Sequence, residues 1–332
     1  MWLKKLGAEV IGYALEPVTE PSLFAVAAVA DSMHSIVGDV REREELTQAM
    51  LEAKPDVVIH MAAQALVRYS YQHPVETYEV NVMGTVNLLE AVRSCDSVKS
   101  VLVITSDKCY ENREREAGYQ EHEPMGGFDP YSNSKGCAEL VVSAYRQSFF
   151  ENGKRVAIAT ARAGNVIGGG DWSEDRLLPD MVRAFSAGEE VVIRSPSAVR
   201  PWQHVFEALH GYLLLLERMN DKPQSFSQGW NFGPDEQDAR DVAWIVERFV
   251  SSWGDAAWCI EPDDKNLHEA HLLKLDCSKA RCELAWVPVL ELGQAIEWIA
   301  DWYRHHHDGE DMLEYSNQQL NAYQSKVMHE AS

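Results

Sequence analysis

The stretch "VKSVLVITSD" (98–107) is an apolar run that ends on the polar side chains of Thr105, Ser106 and Asp107. It shows no alternation of apolar and polar residues, which is typical of a strand buried on both faces of a parallel sheet. Lys108 follows directly, so hydroxyl, carboxylate and ammonium groups come together where the strand ends. The pattern indicates either a strand end that meets solvent or a cluster of reactive groups at the edge of a sheet.

Short β-rich runs alternate with helical segments on both sides of this stretch. The alternation predicts βα units and an α/β fold with a Rossmann-like doubly wound parallel sheet. After about residue 165 the chain has loops rich in Gly, Trp and Pro, which predict a smaller C-terminal α/β domain. We expect strands at 8–15, 34–40, 55–63, 98–107 and 155–163, and helices near 43–53, 74–94 and 130–150.

The first ten residues, "MWLKKLGAEV" (1–10), resemble the end of a helix that Gly7 caps, followed by the second strand of such a sheet. The first strand, and the Gly-rich turn that holds a pyrophosphate at a helix N-terminus, are not found in this sequence. We expect that about 20 to 25 residues, the opening of one βα unit, are missing from it. The alternative is a protein that has lost its phosphate-binding turn.

Charge and cysteine usage limit the classes of function. The formal net charge is −22, from 52 acidic and 30 basic residues, which disfavours nucleic acid and anionic membranes as partners. An anionic ligand would have to be held by a few placed cations and backbone amides. The six cysteines include no CxxC pair, and no apolar stretch approaches the ~18 residues of a membrane span. We therefore expect a cytoplasmic protein.

Tyr131 and Lys135 lie four residues apart in "DPYSNSKGCAEL" (129–140), on one face at the start of a predicted helix. A tyrosine that accepts a proton near neutral pH needs a pKa far below its usual value of about 10, and a nearby ammonium group lowers that pKa. The spacing alone is common in helices. Its position after the Ser106 strand end favours a shared site, in which both hydroxyls contact one substrate oxygen.

At this point the sequence resembles the extended short-chain dehydrogenase/reductase family, in its nucleotide-sugar branch. The matching stretches run from residue 38 to about 280 in the expected order: "GDVRE", "HMAAQ", "NVMGTVNLLEA", "ITSDKCY", "PYSNSK", "RAGNVIGGGDW", "RPWQHV", "NFGP" and "LDCSKA". Among the members, "SDKCY", "GGGDW", "RPWQHV" and "HEAHLLKLD" are most similar to those that act on CDP-glucose as 4,6-dehydratases. Relatives acting on dTDP-sugars have Thr-Asp-Glu where this chain has Ser106-Asp107-Lys108.

The resemblance implies an NAD-dependent lyase with CDP-glucose as substrate. It implies that Tyr131 removes the C4 hydroxyl proton while C4 passes hydride to NAD, with Ser106 polarising that oxygen and Lys135 holding the nicotinamide ribose. Loss of the C5 proton and of the C6 hydroxyl follows, and the hydride returns to C6. We assign Asp107 as the acid that protonates the departing hydroxyl, a task that needs a raised pKa. Lys108 is expected to act in C5 deprotonation, as an amine base or by electrostatic stabilisation of the enolate.

Further contacts follow from matching positions in the family. The predicted strand at 8–15, which ends within "GYALEP" (12–17), has no acidic residue at its end, where one usually binds the adenine ribose, so NAD is inferred from the resemblance alone. For Asn81, a structural role in which it holds the neighbouring strands is at least as strong an interpretation as a contact with the cofactor. The other cofactor residues implied are Asp39, Val40, Ala62, Ala63, Gln64 and Thr105, besides Tyr131 and Lys135. The substrate residues implied are Asn165, Arg200, Asn231, His268 and His271.

The domains implied are a dinucleotide-binding domain at 1–165 and a region at 166–304 that is mainly a nucleotide-sugar domain, with segments returning to the sheet. A polar tail is predicted at 305–332, and the family implies a homodimer through the helices at 74–94 and 130–150. "HEAH" (268–271) lacks the spacing of HExxH, so no metal is predicted.

Two other functions stay open at this level. A nucleotide-sugar 4-epimerase shares the tyrosine, lysine and NAD, but has no use for Asp107 and Lys108. A chain without the Gly-rich turn could also be a non-catalytic sugar-nucleotide-binding protein. Trp172, Trp202 and the glycines of "GGGD" (168–171) are as consistent with packing as with ligand contact.

Overall fold

Strands and helices alternate along the first half of the chain in the computed structural model, which describes residues 1–151, 156–235, 238–254, 256–261 and 272–330. The strands are β1 (Ile11–Ala14), β2 (His34–Val37), β3 (Val57–His60), β4 (Ser100–Ile104), β5 (Ala157–Ala163), β6 (Val166–Ile167), β7 (Val191–Ile193), β8 (Val199–Pro201), β9 (Gln203–His204), β10 (Gly229–Phe232), β11 (Ala239–Asp241) and β12 (Trp258–Ile260). The α-helices are α1 (Trp2–Lys5), α2 (Leu23–Val26), α3 (Arg43–Ala53), α4 (Val67–Gln72), α5 (Pro74–Tyr78), α6 (Gly84–Ser94), α7 (Pro130–Tyr145), α8 (Leu177–Ser186), α9 (Val205–Asp221), α10 (Pro223–Phe226), α11 (Val242–Trp253), α12 (Ser278–Leu284), α13 (Leu292–His307) and α14 (Met312–Glu330). Short 3₁₀ helices cover Val29–Ser32 and Asp107–Cys109, and π-helical turns cover Glu79–Met83 and Arg146–Phe150.

The central sheet has four parallel strands in the order β10-β5-β4-β3. A separate parallel pair joins β1 to β2, and among the described residues no strand pairing joins this pair to β3. All five predicted strands of the first half are confirmed, with shorter bounds. The predicted helix at 74–94 is confirmed as α5, a π-helical turn and α6 in succession.

Helices cover both faces of the four-stranded sheet, which explains the unbroken apolar run in β4. Val101 and Val103 pack into a cluster with residues of α3, α6 and α7, whereas Leu102 between them packs against α9 and β10 on the other face. All three are at most 1% exposed. Successive side chains of a strand point to opposite faces, so a strand that is covered on both sides needs apolar residues at every position.

The chain after β5 builds a second region and also returns to the sheet. β10 pairs with β5 in parallel register, so the segment 229–232 extends the central sheet. A third apolar cluster lies among α8, α11 and α13, with Met181, Phe249 and Ile299 at its centre. None of the described helices combines the length and apolar character needed to cross a membrane.

Within the segment predicted as a polar tail (305–332), the described residues include the end of α13 and the whole of α14. Leu320 and Tyr323 of α14 are buried, and the Tyr323 hydroxyl donates to Glu207 Oε2 at 2.9 Å. The ring of Trp2 packs edge-on against Tyr323 with the centroids 5.7 Å apart. Trp2 also packs edge-on against Phe206 of α9 with the centroids 6.1 Å apart, so α1 and α14 both contact α9.

The "GGGD" loop (168–171) follows β6 and packs closely against other parts of the protein. A Cβ atom on Gly169 would lie 2.3 Å from Cγ of Trp302, and Gly170 adopts φ +84° beside Leu23. The Tyr303 hydroxyl donates to the carbonyl of Asp171 at 2.5 Å and accepts from its N–H at 3.0 Å. The loop therefore owes its glycines to close approach of its backbone to α13 and α2.

Candidate active site

A cleft of about 440 Å³ opens at the carboxyl ends of β4 and β5. Its walls include Thr105, Ser106, Asp107 and Lys108 after β4. Tyr131 of α7 also lines it. The side chains that the sequence suggested as one cluster are thus brought together, which fits the rule that ligands bind outside the carboxyl ends of parallel strands.

Local hydrogen bonds fix the strand end and the start of α7. Ser106 Oγ accepts from the Lys108 N–H at 3.2 Å and donates to Asp107 Oδ1 at 3.0 Å. Asp129 is the N-cap of α7, and its Oδ1 accepts from the Ser132 N–H at 2.9 Å. Capping of this kind stabilises the first helical turn. It defines where the turn begins and so where Tyr131 points.

Tyr131 and Ser106 line the same cleft, and the Ser106 hydroxyl is close enough to influence the pKa of the phenol. Burial raises the pKa of Tyr131, and the Ser106 hydroxyl followed by the positive charge of Arg176 oppose that rise. The phenol is therefore protonated at neutral pH in this state. Arg176 belongs to the loop that precedes α8, and one of its Nη atoms donates to the carbonyl of Ala65 across the cleft at 3.1 Å.

Lys135 lies one helical turn after Tyr131, and 6% of the residue is exposed. Its Nζ donates to the carbonyl of Ile104, at the end of β4, at 3.2 Å. Burial lowers the pKa of Lys135 to about 8, against the opposing effect of the Glu139 carboxylate. The amine is thus mostly charged at neutral pH, although it lies in a poorly solvated position.

Asp107 is 2% exposed, and burial raises its pKa. The charge of Lys108, the Ser106 hydrogen bond and the charge of Arg200 act in the opposite direction. A Cβ atom on Gly164 would lie 2.2 Å from Asp107 Oδ2, so glycine is the residue that leaves room for this carboxyl group. The sequence analysis did not identify Gly164, although it lies in the quoted stretch "RAGNVIGGGDW".

The predicted cofactor residues surround the ends of β2 and β3. Asn81 accepts from the Gln64 N–H and donates to the Gln64 carbonyl, both at 2.9 Å, so it fixes the turn after β3 as its structural interpretation predicts. Asp39 accepts from Arg41 Nε at 2.8 Å, and hydrogen bonds from Arg41 lower the pKa of Asp39. Val40 is buried against Gly84. Ala62 and Ala63 are half-buried in the turn after β3.

The predicted substrate residues fall into three groups. Asn165, at φ +39°, and Arg200 line the cleft. Asn231 does not line it: the residue is fully buried, and its amide donates to the carbonyls of Tyr119 and Asp276 at 2.8 and 3.1 Å. The family resemblance implies a substrate contact for Asn231. In the structure its side chain instead joins two loops behind β10. His268 and His271 lie outside the described residues.

Cations that the sequence analysis did not select also line the cleft, among them Arg176 and Arg194. Arg194 follows β7 and forms an ion pair with Asp175 at 3.1 Å. The two tryptophans left undecided pack against protein: Trp172 lies edge-on to Trp302, and Trp202 Nε1 donates to the Arg240 carbonyl at 3.2 Å while also facing the cleft.

No group of three or more His, Cys, Asp or Glu side chains suited to a metal ion occurs within the described ranges.

Comparison with known proteins gives one family and several relatives. The family model described as GDP-mannose 4,6 dehydratase matches residues 22–299. The CDP-glucose 4,6-dehydratase of Salmonella typhimurium is 51% identical over 334 residues, covering 98% of this chain and 92% of that protein. The dTDP-glucose 4,6-dehydratase of Streptomyces antibioticus is 28% identical, covering 80% of this chain and 75% of that protein.

Two solved structures share the fold at low identity. The dTDP-glucose 4,6-dehydratase of Bacillus anthracis in complex with NAD has a TM-score of 0.74 at 20% identity, covering 94% of this chain and 93% of that chain. The UDP-glucose 4-epimerase of Thermus thermophilus in complex with NAD has a TM-score of 0.78 at 23% identity, covering 91% and 93%. Both confirm the predicted α/β fold.

We predict that Asp107→Asn stabilises the folded protein at pH 7 to 8. Because the folded-state pKa of Asp107 is raised, ionisation costs free energy in the folded protein, and this cost grows as pH rises from the unfolded pKa through the folded pKa. Each unit of displacement corresponds to about 1.4 kcal/mol. Urea denaturation at several pH values measures the difference, which should vanish towards pH 4. Glu174→Gln, which changes an exposed carboxyl group, is the control. A loss of stability in Asp107→Asn at pH 7 to 8 would contradict the prediction.

Proposed function

The chain belongs to the GDP-mannose 4,6 dehydratase family of extended short-chain dehydrogenases/reductases, and from this premise we propose that it is a CDP-glucose 4,6-dehydratase. The reaction converts CDP-glucose to CDP-4-dehydro-6-deoxy-glucose with loss of water. The observation that carries the proposal is the 51% identity over 98% of the chain to an enzyme of that name. The convergence of Ser106, Asp107 and Tyr131 in one cleft gives it chemical support.

NAD is the cofactor of this nucleotide-sugar dehydratase. The described residues fit a dinucleotide at the carboxyl edge of the sheet. Asn81 fixes the turn after β3, and the buried Lys135 amine next to the end of β4 is a donor of the kind that ribose hydroxyls accept. A bound NAD would supply the hydride chemistry, as acceptor of the hydride from C4 and donor of it to C6.

For the oxidation at C4, Tyr131 takes the hydroxyl proton and Ser106 holds the same oxygen by a hydrogen bond. Their common position in one cleft supports this assignment, because both hydroxyls can then approach one substrate atom. Lys135 would bind the nicotinamide ribose. The positive charge of Arg176 favours the phenolate form of Tyr131, and an ammonium group four residues along the same helix acts in the same direction.

For the elimination, Asp107 protonates the C6 hydroxyl as it leaves. Its raised pKa supports this role, because a carboxyl group must keep its proton near neutral pH to act as a general acid. Lys108 lines the same cleft and acts at C5, either as an amine base or by stabilising the enolate. Neither the proton transfer at C5 nor the one at C6 is assigned to the cofactor.

Binding of the CDP group falls to cations and amides on the C-terminal side of the cleft. Arg200 offers two directed donors to phosphate oxygens, and Asn165 lines the same cleft. In a chain with a formal charge of −22, such local cations are needed to hold a diphosphate.

We propose a homodimer that forms through the helices at 74–94 and 130–150. Apolar side chains on these helices are exposed, with Val75 at 69%, Met83 at 50% and Leu140 at 60%. Exposed apolar side chains that lie together on a surface mark protein interfaces. The absence of paired cysteines among the six supports a reducing compartment, and we propose a cytoplasmic location.

The decisive assay supplies CDP-glucose carrying deuterium at C4, together with NAD. The dehydratase is expected to yield a 4-keto-6-deoxy product, lighter by one water, with deuterium at C6. An epimerase would return the deuterium to C4 and lose no water, and a binding protein would leave the substrate unchanged. Tyr131→Phe is the matched control, and loss of proton transfer should reduce kcat about 100-fold or more. Mass spectrometry and NMR locate the label.

The same assay in D₂O tests Lys108. Lys108→Ala is expected to retain reduction of NAD during C4 oxidation but to lose turnover and exchange of the C5 proton. Near-normal turnover and exchange in this variant would reject the assigned role.

The dimer is tested by light scattering. Wild-type protein should show twice the 37.4 kDa of one chain, and Leu140→Glu should show one chain because a buried charge in the interface is unpaired. Val18→Glu replaces a side chain that is 91% exposed elsewhere and should leave the dimer intact. A wild-type monomer, or a dimer that withstands Leu140→Glu, would contradict the proposed interface.

A further inference from the structure

The Glu139 carboxylate is a buried group outside the cleft that contacts several elements of the site at once. It lies one helical turn after Lys135 on α7, and 5% of the residue is exposed. Its oxygens accept from Thr105 Oγ1 at 2.5 Å and Thr160 Oγ1 at 2.7 Å. They also accept from Arg162 Nε and Nη2, both at 2.8 Å. One carboxylate thus ties α7 to both β4 and β5.

This tie acts on the strand end that carries Ser106. Thr105 directly precedes Ser106, and its N–H donates to the Ala161 carbonyl at 2.9 Å. The backbone of Thr105 is therefore held by β5 while its side chain is held by Glu139. Because α7 also carries Tyr131, the distance between the two hydroxyls of the site depends on this attachment.

The same carboxylate lies among buried cations. Arg162 is paired with it, and its guanidinium remains charged at all accessible pH values. Arg146, in the π-helical turn after α7, is half-buried. Burial lowers its pKa, and the Glu139 carboxylate opposes that effect. Lys135 is the cation of this group that can give up its proton near neutral pH.

Other titratable groups near Lys135 do not carry a compensating charge. His60, at the end of β3, has its pKa lowered to about 3 by burial and by Lys135, so its ring is neutral. Burial raises the pKa of the Cys109 thiol well above its usual value, so this group is neutral too. Tyr131, on the same helix, is a protonated phenol. Among the described groups that act on Lys135, Glu139 therefore supplies the negative charge.

We propose that Glu139 is a positioning residue for the C4 oxidation: its buried carboxylate holds the Thr105–Ser106 strand end against α7 and keeps Lys135 positively charged. The role in catalysis rests on the proposed function, whereas the effect on the Lys135 charge does not. Glu139 reaches the substrate only through Ser106 and Lys135. A carboxylate one helical turn away favours the ammonium form of an amine, and this influence matters most for an amine whose pKa is about 8.

The direct test is a titration of Lys135 by NMR in protein labelled with ¹³C at the lysine Cε. Its resonance is assigned by its absence in Lys135→Arg. Glu139→Gln should lower the titration midpoint of Lys135 by about one pH unit or more. Thr160→Val removes one hydrogen bond to the carboxylate but keeps the charge, so it should leave the midpoint where it is in the wild type. An unchanged midpoint in folded Glu139→Gln would overturn the proposal.

Kinetics separate the two parts of the role. The alkaline limb of the pH profile of kcat/KM should move to lower pH in Glu139→Gln. Glu139→Asp should restore the limb while a shorter reach to Thr105 still lowers kcat. Equal pH profiles in wild type and Glu139→Gln, with only a uniform loss of activity, would show a merely structural role.

A double variant provides the same test in case the single variant Glu139→Gln is too unstable to fold. If Glu139→Gln does not fold, Glu139→Gln/Arg162→Gln removes the buried charges together, which is far less costly than breaking the pair. Its Lys135 midpoint should still lie below that of the wild type, because Glu139 is the stronger influence on Lys135. A midpoint equal to or above the wild-type value would overturn the proposal. The titration of Lys135 does not require turnover. A wild-type protein that is inactive on CDP-glucose would therefore reject the proposed substrate but would not affect the test of Glu139.

Discussion

The arrangement of the site depends on one buried ion pair, Glu139 with Arg162. The pair joins α7 to β5, and through Thr105 it reaches the end of β4. Removal of one partner from such a pair costs about 3 to 5 kcal/mol, because the remaining charge is left buried without compensation. The cost is of the same order as the net stability of many domains. The elements that carry Ser106, Tyr131 and Lys135 therefore keep their relative positions as long as the fold persists.

Burial favours the protonation states that the proposed chemistry needs. The same loss of solvation raises the pKa of Asp107 and lowers that of Lys135, so the acid keeps its proton more readily and the amine holds its proton less firmly. Lys108 and Arg200 moderate the first effect, and Glu139 moderates the second. A cleft with cations along its walls also explains how a strongly acidic chain can bind an anionic nucleotide sugar.

The sequence predicts the structure well where the spacing of residues shows which positions are buried or share one face. The apolar run of β4 could be predicted because Val101 and Leu102 are covered on opposite faces of the sheet. The pairing of Tyr131 with Lys135 could be predicted because helical spacing places both side chains on one face. Glu139 and Arg162 were not predicted because no feature of the neighbouring sequence distinguishes a buried charge from a surface charge. The two residues pair only once β5 lies beside α7. Gly164 was missed since its reason, the carboxyl group of Asp107, is remote in sequence. For Asn231, likeness of position did not reveal which way the side chain points.

We expect one hexose ring to lie in the cleft with C4 at the two hydroxyls and C6 at the carboxyl group. A crystal structure of the chain with NAD and CDP-glucose would show this arrangement. The C4 oxygen should lie within about 3.2 Å of both Tyr131 Oη and Ser106 Oγ, and the C6 oxygen at a similar distance from Asp107. A sugar bound with C4 out of reach of Tyr131, or with C6 facing away from Asp107, would contradict it.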